Sequence, residues 1–220
     1  MKSRRMDNRG FTLVELSIVL VIIGLIIGGV LTGQQIIQNA RVTSALNAIQ
    51  AYQGQFQTYQ QNFGALPGDD PAAVTRFPNV TPALANGNGN GVLDGAFDTA
   101  TTGDEARQVW ADLRAAGLVK NQVTSNGATA VQPPNPFGGI FGFQNSAFGG
   151  TTTNFTTTVL CLNNAPAAAA QAIDTQLDDG APNSGSIMAM VGTGTAGEVT
   201  KGSVVSAYGG AQTYTMCIRM

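Results

Sequence analysis

The segment "FTLVELSIVLVIIGLIIGGVLTG", residues 11–33, decides how this chain is organised. It is an apolar run long enough to span a membrane, and its one charged residue is Glu15. The flank before it, residues 1–10, holds four basic residues and one acid. The positive-inside rule therefore places this flank in the cytoplasm and the rest of the chain on the other side. A lone carboxylate in hydrocarbon is costly, so we expect Glu15 to be paired or functional.

The helical pattern continues beyond the apolar run. From Val42 to Phe63, apolar residues recur at spacings of three and four, which is the stripe of an amphipathic helix. We therefore predict one helix over residues 11–63, of which residues 11–33 are transmembrane. At ~1.5 Å per residue this helix is roughly 80 Å long. The remaining chain is too small to cover it, so its exposed apolar face is expected to pack against other copies of the chain.

Composition excludes several classes of function. Charged residues make up 11% of the chain and the formal net charge is −2, so the sequence predicts no nucleic-acid surface. The chain has no histidine, which removes the usual general base and the commonest metal ligand. Its two cysteines are too few for a cysteine-rich zinc site. We predict a structural protein rather than an enzyme, with no catalytic residues and no required cofactor.

Residues 64–220 are predicted to form a globular head. "GALPGDDP" ends the long helix, and loop residues continue to about Gly103. "TTGDEARQVWADLRAAGLV" then predicts a short helix, with a capping box between Thr102 and Glu105 and with Trp110 in the core. A Phe-rich segment, "PPNPFGGIFGFQNSAFGG", is predicted to be a loop. Its four phenylalanines are either core residues or a subunit contact; they are Phe137, Phe141, Phe143 and Phe148.

The C-terminal part of the head has the pattern of a small antiparallel sheet. Four segments are predicted strands: "TTTNFTTTVLCLN", "SIMAMVG", "VTKGSVVSA" and "AQTYTMCIRM". "NAPAAAAQAIDTQLDDG" predicts a second short helix capped by Asn164. The predicted fold class is therefore α+β, with a long N-terminal helix packed against a small antiparallel sheet that carries short helices and long loops.

The sequence "RGFTLVE" after a short basic leader resembles the processing site of type IV prepilins and type II secretion pseudopilins. The resemblance implies cleavage by a prepilin peptidase between Gly10 and Phe11, followed by N-methylation of Phe11. It also implies a pilin-like fold, a single-pass precursor in the inner membrane with a cytoplasmic N-terminus, and polymerisation by the assembly machinery into a helical filament. Residues 1–10 would be the leader. The filament would be a cell-surface pilus or, alternatively, a periplasmic pseudopilus.

This resemblance suggests a partner for Glu15. Cleavage would create a positive α-amine on Phe11, one helical turn away from Glu15. The pair could form within one subunit or between neighbours; the resemblance implies the second, with Glu15 setting the stagger of subunits during assembly. The alternative is an interfacial acid whose carboxylate reaches the headgroup level. An alternative of another class is a membrane-anchored binding domain that never polymerises.

Two motifs in the head are candidate ligand sites. "NGNGNGVLDGAFD" resembles a calcium loop, with the final bidentate Glu missing. Its candidate ligands are Asn86, Asn88, Asn90, Asp94 and Asp98. A plain run of Asn-Gly turns is the simpler interpretation. "GTGTAG", residues 192–197, matches a dinucleotide motif, but β-like residues follow it, so we interpret it as a hairpin turn.

Cys161 and Cys217 are the only cysteines. They lie on predicted strands of a head that should face an oxidising compartment, so we predict a disulfide between them. The alternative is two buried free thiols.

Overall fold

A computed structural model describes residues 12–80, 84–120, 132–149, 155–192, 199 and 204–220. Contacts divide the chain into two compact units, Met1–Ala40 and Arg41–Met220. The division falls inside the first helix, α1, which covers Leu13–Phe63. The second unit therefore contains the last part of α1 in addition to residues of the predicted head.

In the first unit, α1 exposes nearly every side chain. Its large apolar residues between Leu13 and Ile37 are 46–88% exposed. This is the one helix in the described part of the chain that is long and apolar enough to cross a membrane. A helix that is apolar all round needs lipid or other helices around it.

In the second unit, α1 buries the predicted stripe. Its buried residues are Val42, Ala45, Leu46, Ile49, Phe56 and Tyr59. Tyr52 and Phe63 are partly buried against the same core. The predicted amphipathic helix is confirmed, and it ends before Gly64, whose positive φ of 69° is the left-handed conformation that glycine adopts readily.

Four antiparallel strands form one sheet in the order β1-β2-β4-β3. The strands are β1 Phe141–Ala147, β2 Phe155–Pro166, β3 Ile187–Val191 and β4 Thr213–Arg219. Because side chains alternate along a strand, the two faces of the sheet join two different clusters of buried residues. Phe143, Leu160 and Ile218 pack with α1, whereas Val159 and Met188 pack in a second cluster with Phe97.

Three short helices complete the described head: α2 Ala73–Arg76, α3 Glu105–Ala115 and α4 Ala167–Leu177. Trp110 of α3 is fully buried, and its ring centroid lies 4.9 Å from that of Tyr52 and 5.1 Å from that of Phe143. Through these two ring contacts, Trp110 connects α3 to both α1 and β1. The α+β fold class predicted from the sequence is confirmed.

Both predicted side-chain caps of the short helices are wrong. α3 begins after Asp104, which makes no side-chain cap hydrogen bond, and the Glu105 side chain accepts main-chain bonds from another loop. α4 begins after Pro166, whose fixed φ suits a helix start. Asn164 instead lies within β2, where its side-chain amide donates to the Phe137 carbonyl oxygen.

The Phe-rich segment is only partly a loop, because it contains β1. Three of its phenylalanines are core residues, since Phe141, Phe143 and Phe148 are at most 1% exposed; Phe137 is partly buried against the core. Of the predicted strand at residues 199–207, residues 200–203 lie outside the described residues. Its described part at residues 204–207 is not strand, so this portion of the prediction is wrong.

Cys161 of β2 and Cys217 of β4 are opposite each other in the sheet and form a disulfide. Both cysteines are fully buried in the cluster on the second face. The bond joins residues that are 56 positions apart in the chain, so it removes much of the freedom of the unfolded head.

We expect that replacing both cysteines by serine will lower the free energy of unfolding by about 2–4 kcal/mol, because the closed loop is long and the site is buried. Urea unfolding of the purified protein measures this loss, with peptide mapping under non-reducing conditions to identify the linked pair. Reduced wild-type protein is the matched control and should lose a similar amount. Equal stability of oxidised and reduced wild-type protein would contradict the expectation.

Candidate functional site

Thr12 and Glu15 form a capping box at the start of α1. The Glu15 main-chain amide donates to Thr12 Oγ1 at 3.2 Å, and the Thr12 amide donates to Glu15 Oε2 at 2.9 Å. The Thr12 hydroxyl also donates to Oε2, at 2.9 Å. This reciprocal pattern satisfies amides that have no partner within the helix. The signal for this capping box is present in the sequence as Thr-x-x-Glu.

The capping box uses one oxygen of the Glu15 carboxylate. Both bonds from Thr12 fall on Oε2, and within the described residues no hydrogen bond reaches Oε1. Gly10 and Phe11 lie outside the described residues, so the cleavage site and the pairing of Phe11 with Glu15 stay predictions. The geometry is compatible with one carboxylate that both caps its own helix and accepts from an ammonium group.

The Asn-Gly loop of the head is folded around a buried carboxylate, Asp69, which is 2% exposed. The Gly89 amide donates to Asp69 Oδ1 at 2.5 Å, and the Gly91 amide donates to Oδ2 at 2.6 Å. The Asn90 amide makes a longer bond to Oδ1, at 3.3 Å. Gly89 and Gly91 both have positive φ, which lets successive amides point to one side. The loop therefore forms a nest for an anionic group that the protein itself supplies.

Glu105 holds the same loop from α3. Its Oε1 accepts the Asn88 amide at 2.8 Å, and its Oε2 accepts the Asp94 amide at 3.1 Å. Burial raises the pKa of Glu105, although these two bonds to the carboxylate lower it. Two acids, Asp69 and Glu105, thus accept main-chain amides of the loop and hold it in its bent conformation.

Four of the candidate calcium ligands already accept hydrogen bonds within the head. The side-chain oxygens of Asn86, Asn88 and Asn90 each accept a main-chain amide. Asp94 Oδ2 accepts from the Asn88 side chain at 3.2 Å. The loop directs its amides at carboxylates, whereas a calcium site directs oxygens at a cation. Calcium binding at this loop stays a prediction.

Another buried acid, Asp70, fixes the turn after α1. Asp70 is fully buried and accepts from the Tyr59 hydroxyl at 2.9 Å and from Arg76 Nε at 2.8 Å. Burial alone would raise the pKa of Asp70, but the bonds from Arg76, from the Ala72 amide and from Tyr59 together lower it. The guanidinium of Arg76 also lies 4.9 Å from the centre of the Phe63 ring. This network ties the end of α1 to α2.

Asp112 of α3 is a buried acid with few hydrogen bonds to offset the loss of water around its carboxyl group. It is 1% exposed; its Oδ2 accepts the Gly68 amide at 2.6 Å, and its Oδ1 has no partner in the described part of the chain. Asp70, Arg76 and Tyr59 are the charged or titratable groups near it. Burial and, to a smaller extent, the charge of Asp70 raise the pKa of Asp112, whereas the Gly68 bond and the charge of Arg76 lower it, and the resulting pKa is about 7.

The raised pKa of Asp112 predicts that the contribution of this residue to the free energy of unfolding falls as pH rises. The unfolded carboxyl loses its proton near its ordinary pKa of about 4, whereas the folded one keeps it until pH is about 7. Between these values wild type should lose roughly 1.4 kcal/mol per pH unit relative to Asp112→Asn, and the difference should level off above pH 7. Thermal unfolding of both proteins from pH 4 to pH 8 measures this. A difference that does not change with pH would contradict the assignment.

One further group of acids is close together in the described residues. Carboxylate oxygens of Asp174, Asp178 and Asp179 lie within 4.8 Å of one another. Each already accepts hydrogen bonds: Asp174 from Tyr208, Asp178 from the Ile187 amide, and Asp179 from Ser184. These acids fasten the loops on either side of β3. The dinucleotide-like segment lies outside the described residues except for Gly192.

Comparison with known proteins finds a family match in the N-terminal segment of the chain. A family described as "Prokaryotic N-terminal methylation motif" matches residues 5–31. No curated protein matches the chain. The matched residues include the second half of the basic flank, Glu15 and most of the apolar run, so the match covers the start of α1. The resemblance found in the sequence is confirmed over this segment: the chain carries, at its N-terminus, the methylation motif of type IV prepilins and pseudopilins.

Proposed function

We propose that the protein is a structural subunit of a type IV pilus-like filament. It is inserted into the inner membrane as a precursor, cleaved between Gly10 and Phe11, methylated on Phe11 and polymerised through α1. The methylation motif at residues 5–31 carries the proposal, because it continues directly into a helix with exposed apolar side chains and a single acid.

The exposed part of α1 can serve two environments in turn. In the membrane its apolar side chains contact lipid, and in a filament they contact the helices of other subunits. Transfer from lipid into a bundle of identical helices keeps the apolar surface away from water throughout. The second unit, Arg41–Met220, has its own buried core, to which the last part of α1 contributes.

Glu15 would set the register of each incoming subunit. Its Oε2 is occupied by Thr12, which fixes the side chain, and its Oε1 would accept from the methylated amine of Phe11 on a neighbour. An ammonium group and a carboxylate attract strongly at low dielectric, so a subunit placed at the wrong height would leave both charges unpaired. This requirement would permit one axial stagger.

The first test concerns processing. Intact-mass analysis of the assembled subunit should give a chain that begins at N-methylated Phe11. Gly10→Leu should leave an unprocessed precursor in the membrane, because a bulky side chain next to the scissile bond obstructs the peptidase. Asn8→Ala, two residues from Gly10, is the matched control and should be cleaved normally. Assembled filaments that retain residues 1–10 would overturn the proposed processing.

The second test separates the charge of Glu15 from its capping role. Glu15→Gln keeps an oxygen that can accept from the Thr12 amide, as in other capping boxes, but removes the charge. It should therefore give processed, membrane-embedded monomer and few or no filaments, as should Glu15→Ala. Thr12→Val removes the hydroxyl but keeps the charge, and should retain most filament formation once cleaved.

Electron microscopy of sheared surface fractions and membrane blots provide the measurements for these variants. Normal filaments from Glu15→Gln would show that the charge is not required. Wild-type surface filaments support a pilus. Their absence, combined with a protein secretion defect in a deletion strain, would instead assign the subunit to a pseudopilus.

A further inference from the structure

The three Asn-Gly pairs of the loop at residues 86–91 are the chemically most labile sites of the described chain. In an Asn-Gly pair the glycine nitrogen can attack Cγ of the asparagine, because glycine has no side chain to obstruct the approach. An N–Cγ bond forms, the Cγ–Nδ2 bond breaks, and the amide proton leaves with the nitrogen as ammonia. Water then opens the cyclic imide to aspartate or isoaspartate. No electrons are transferred, and water is the only other reactant.

The structure holds the attacking nitrogens at two of these pairs in the same way. The nitrogen that would attack Asn88 belongs to Gly89, and the nitrogen that would attack Asn90 belongs to Gly91. Both donate their protons to the buried Asp69 carboxylate, at 2.5 Å and 2.6 Å. A negative charge beside an N–H group opposes loss of its proton, and the hydrogen bond keeps the nitrogen directed away from Cγ.

The asparagine side chains are held as well. Asn88 Oδ1 accepts the Asn90 amide at 2.9 Å, and Asn90 Oδ1 accepts the Val92 amide at 2.7 Å. The third pair differs, because its attacking nitrogen, on Gly87, donates to the main-chain oxygen of Asp70 at 3.0 Å. The loop therefore contains two pairs that depend on the Asp69 side chain and one that does not.

We propose that Asn88 and Asn90 are latent deamidation sites that the Asp69 carboxylate protects, so that they are modified only when the loop leaves Asp69. Each modification would add a negative charge close to Asp69, Asp94 and Glu105. These charges repel, so a modified loop would close again less readily. Opening of the loop would thereby lead to an irreversible covalent change at Asn88 or Asn90.

The experiment compares wild type with Asp69→Asn after incubation at neutral pH. A single tryptic peptide, residues 77–107, contains all three pairs, and its fragment ions locate each deamidation. In the variant we expect Asn88 and Asn90 to deamidate at least about tenfold faster than in wild type, since loss of hydrogen bonds to a charged group changes an equilibrium by this order. Asn86 should keep its wild-type rate.

Glu105→Gln is the matched control. Glu105 is also a carboxylate that accepts amides of this loop, but those amides, on Asn88 and Asp94, are not the attacking nitrogen of any Asn-Gly pair. This variant should leave the rates at Asn88 and Asn90 within about twofold of wild type, because the bonds to Asp69 remain. Equal acceleration in both variants would show that general loosening of the loop, and not Asp69, controls the reaction.

Two further outcomes would overturn the proposal. The first is an Asp69→Asn variant in which Asn86 deamidates as fast as Asn88 and Asn90, because this would indicate unfolding of the whole loop. The second needs no variant: wild type in urea should deamidate at Asn88 and Asn90 at least about tenfold faster than native wild type, as expected for a reaction that requires opening. Similar rates in the two conditions would mean that the fold provides no protection.

Discussion

The structure depends on one constraint, which is that α1 must keep two kinds of apolar surface out of water. Up to Ile37 its apolar side chains are exposed in all directions, so this part needs lipid or other helices. From Val42 onward only one stripe is apolar, and the head covers it. The rings of Tyr52, Phe56 and their neighbours then determine which elements of the head can pack there. The core is therefore organised around a helix whose other part requires an external partner.

The head uses its few charged residues mainly to hold loops. Asp69, Asp70, Asp112 and Glu105 are buried, and each accepts at least one main-chain amide. A long loop without regular structure has many amides that need partners, and a carboxylate can accept several of them at once. This arrangement makes loop structure depend on individual acids, and Asp69, Asp112 and Glu105 bind amides that are distant from them in sequence. It also explains how a chain with 11% charged residues orders the described loop segments on either side of α2.

The parts of the fold that could be predicted are those with a repeating pattern. The α1 stripe, the strands β2, β3 and β4 and the helices α3 and α4 follow from periodicity and glycine punctuation. The four-residue helix α2 was missed, because it lies in a segment predicted to be loop. β1 was missed because it lies in a segment rich in Gly and Pro, which favour loops. Its one glycine, Gly142, is needed where the Phe97 carbonyl oxygen packs against the strand, since a Cβ there would lie 2.0 Å from it. The Asp69 nest was missed because it joins residues twenty positions apart. The Thr12–Glu15 capping box has a sequence signal, Thr-x-x-Glu, but Glu15 was interpreted only as a charged residue in an apolar run.

The edges of the sheet explain why assembly would involve α1 and not the head. An open strand edge is a site at which sheets of different molecules can join. At β3, the Ala189 amide donates to Pro182 and its carbonyl oxygen accepts from Val205, so this edge is occupied by the chain itself. At β1, the Phe141 amide donates to the Pro133 carbonyl oxygen, and the Gln144 side-chain amide donates to the Ser146 carbonyl oxygen. The described head thus offers little unpaired main chain for strand addition, and its large apolar side chains are nearly all buried. The exposed apolar length of α1 is then the surface of the described chain that most requires a partner, which is the property that a helix-polymerised filament needs.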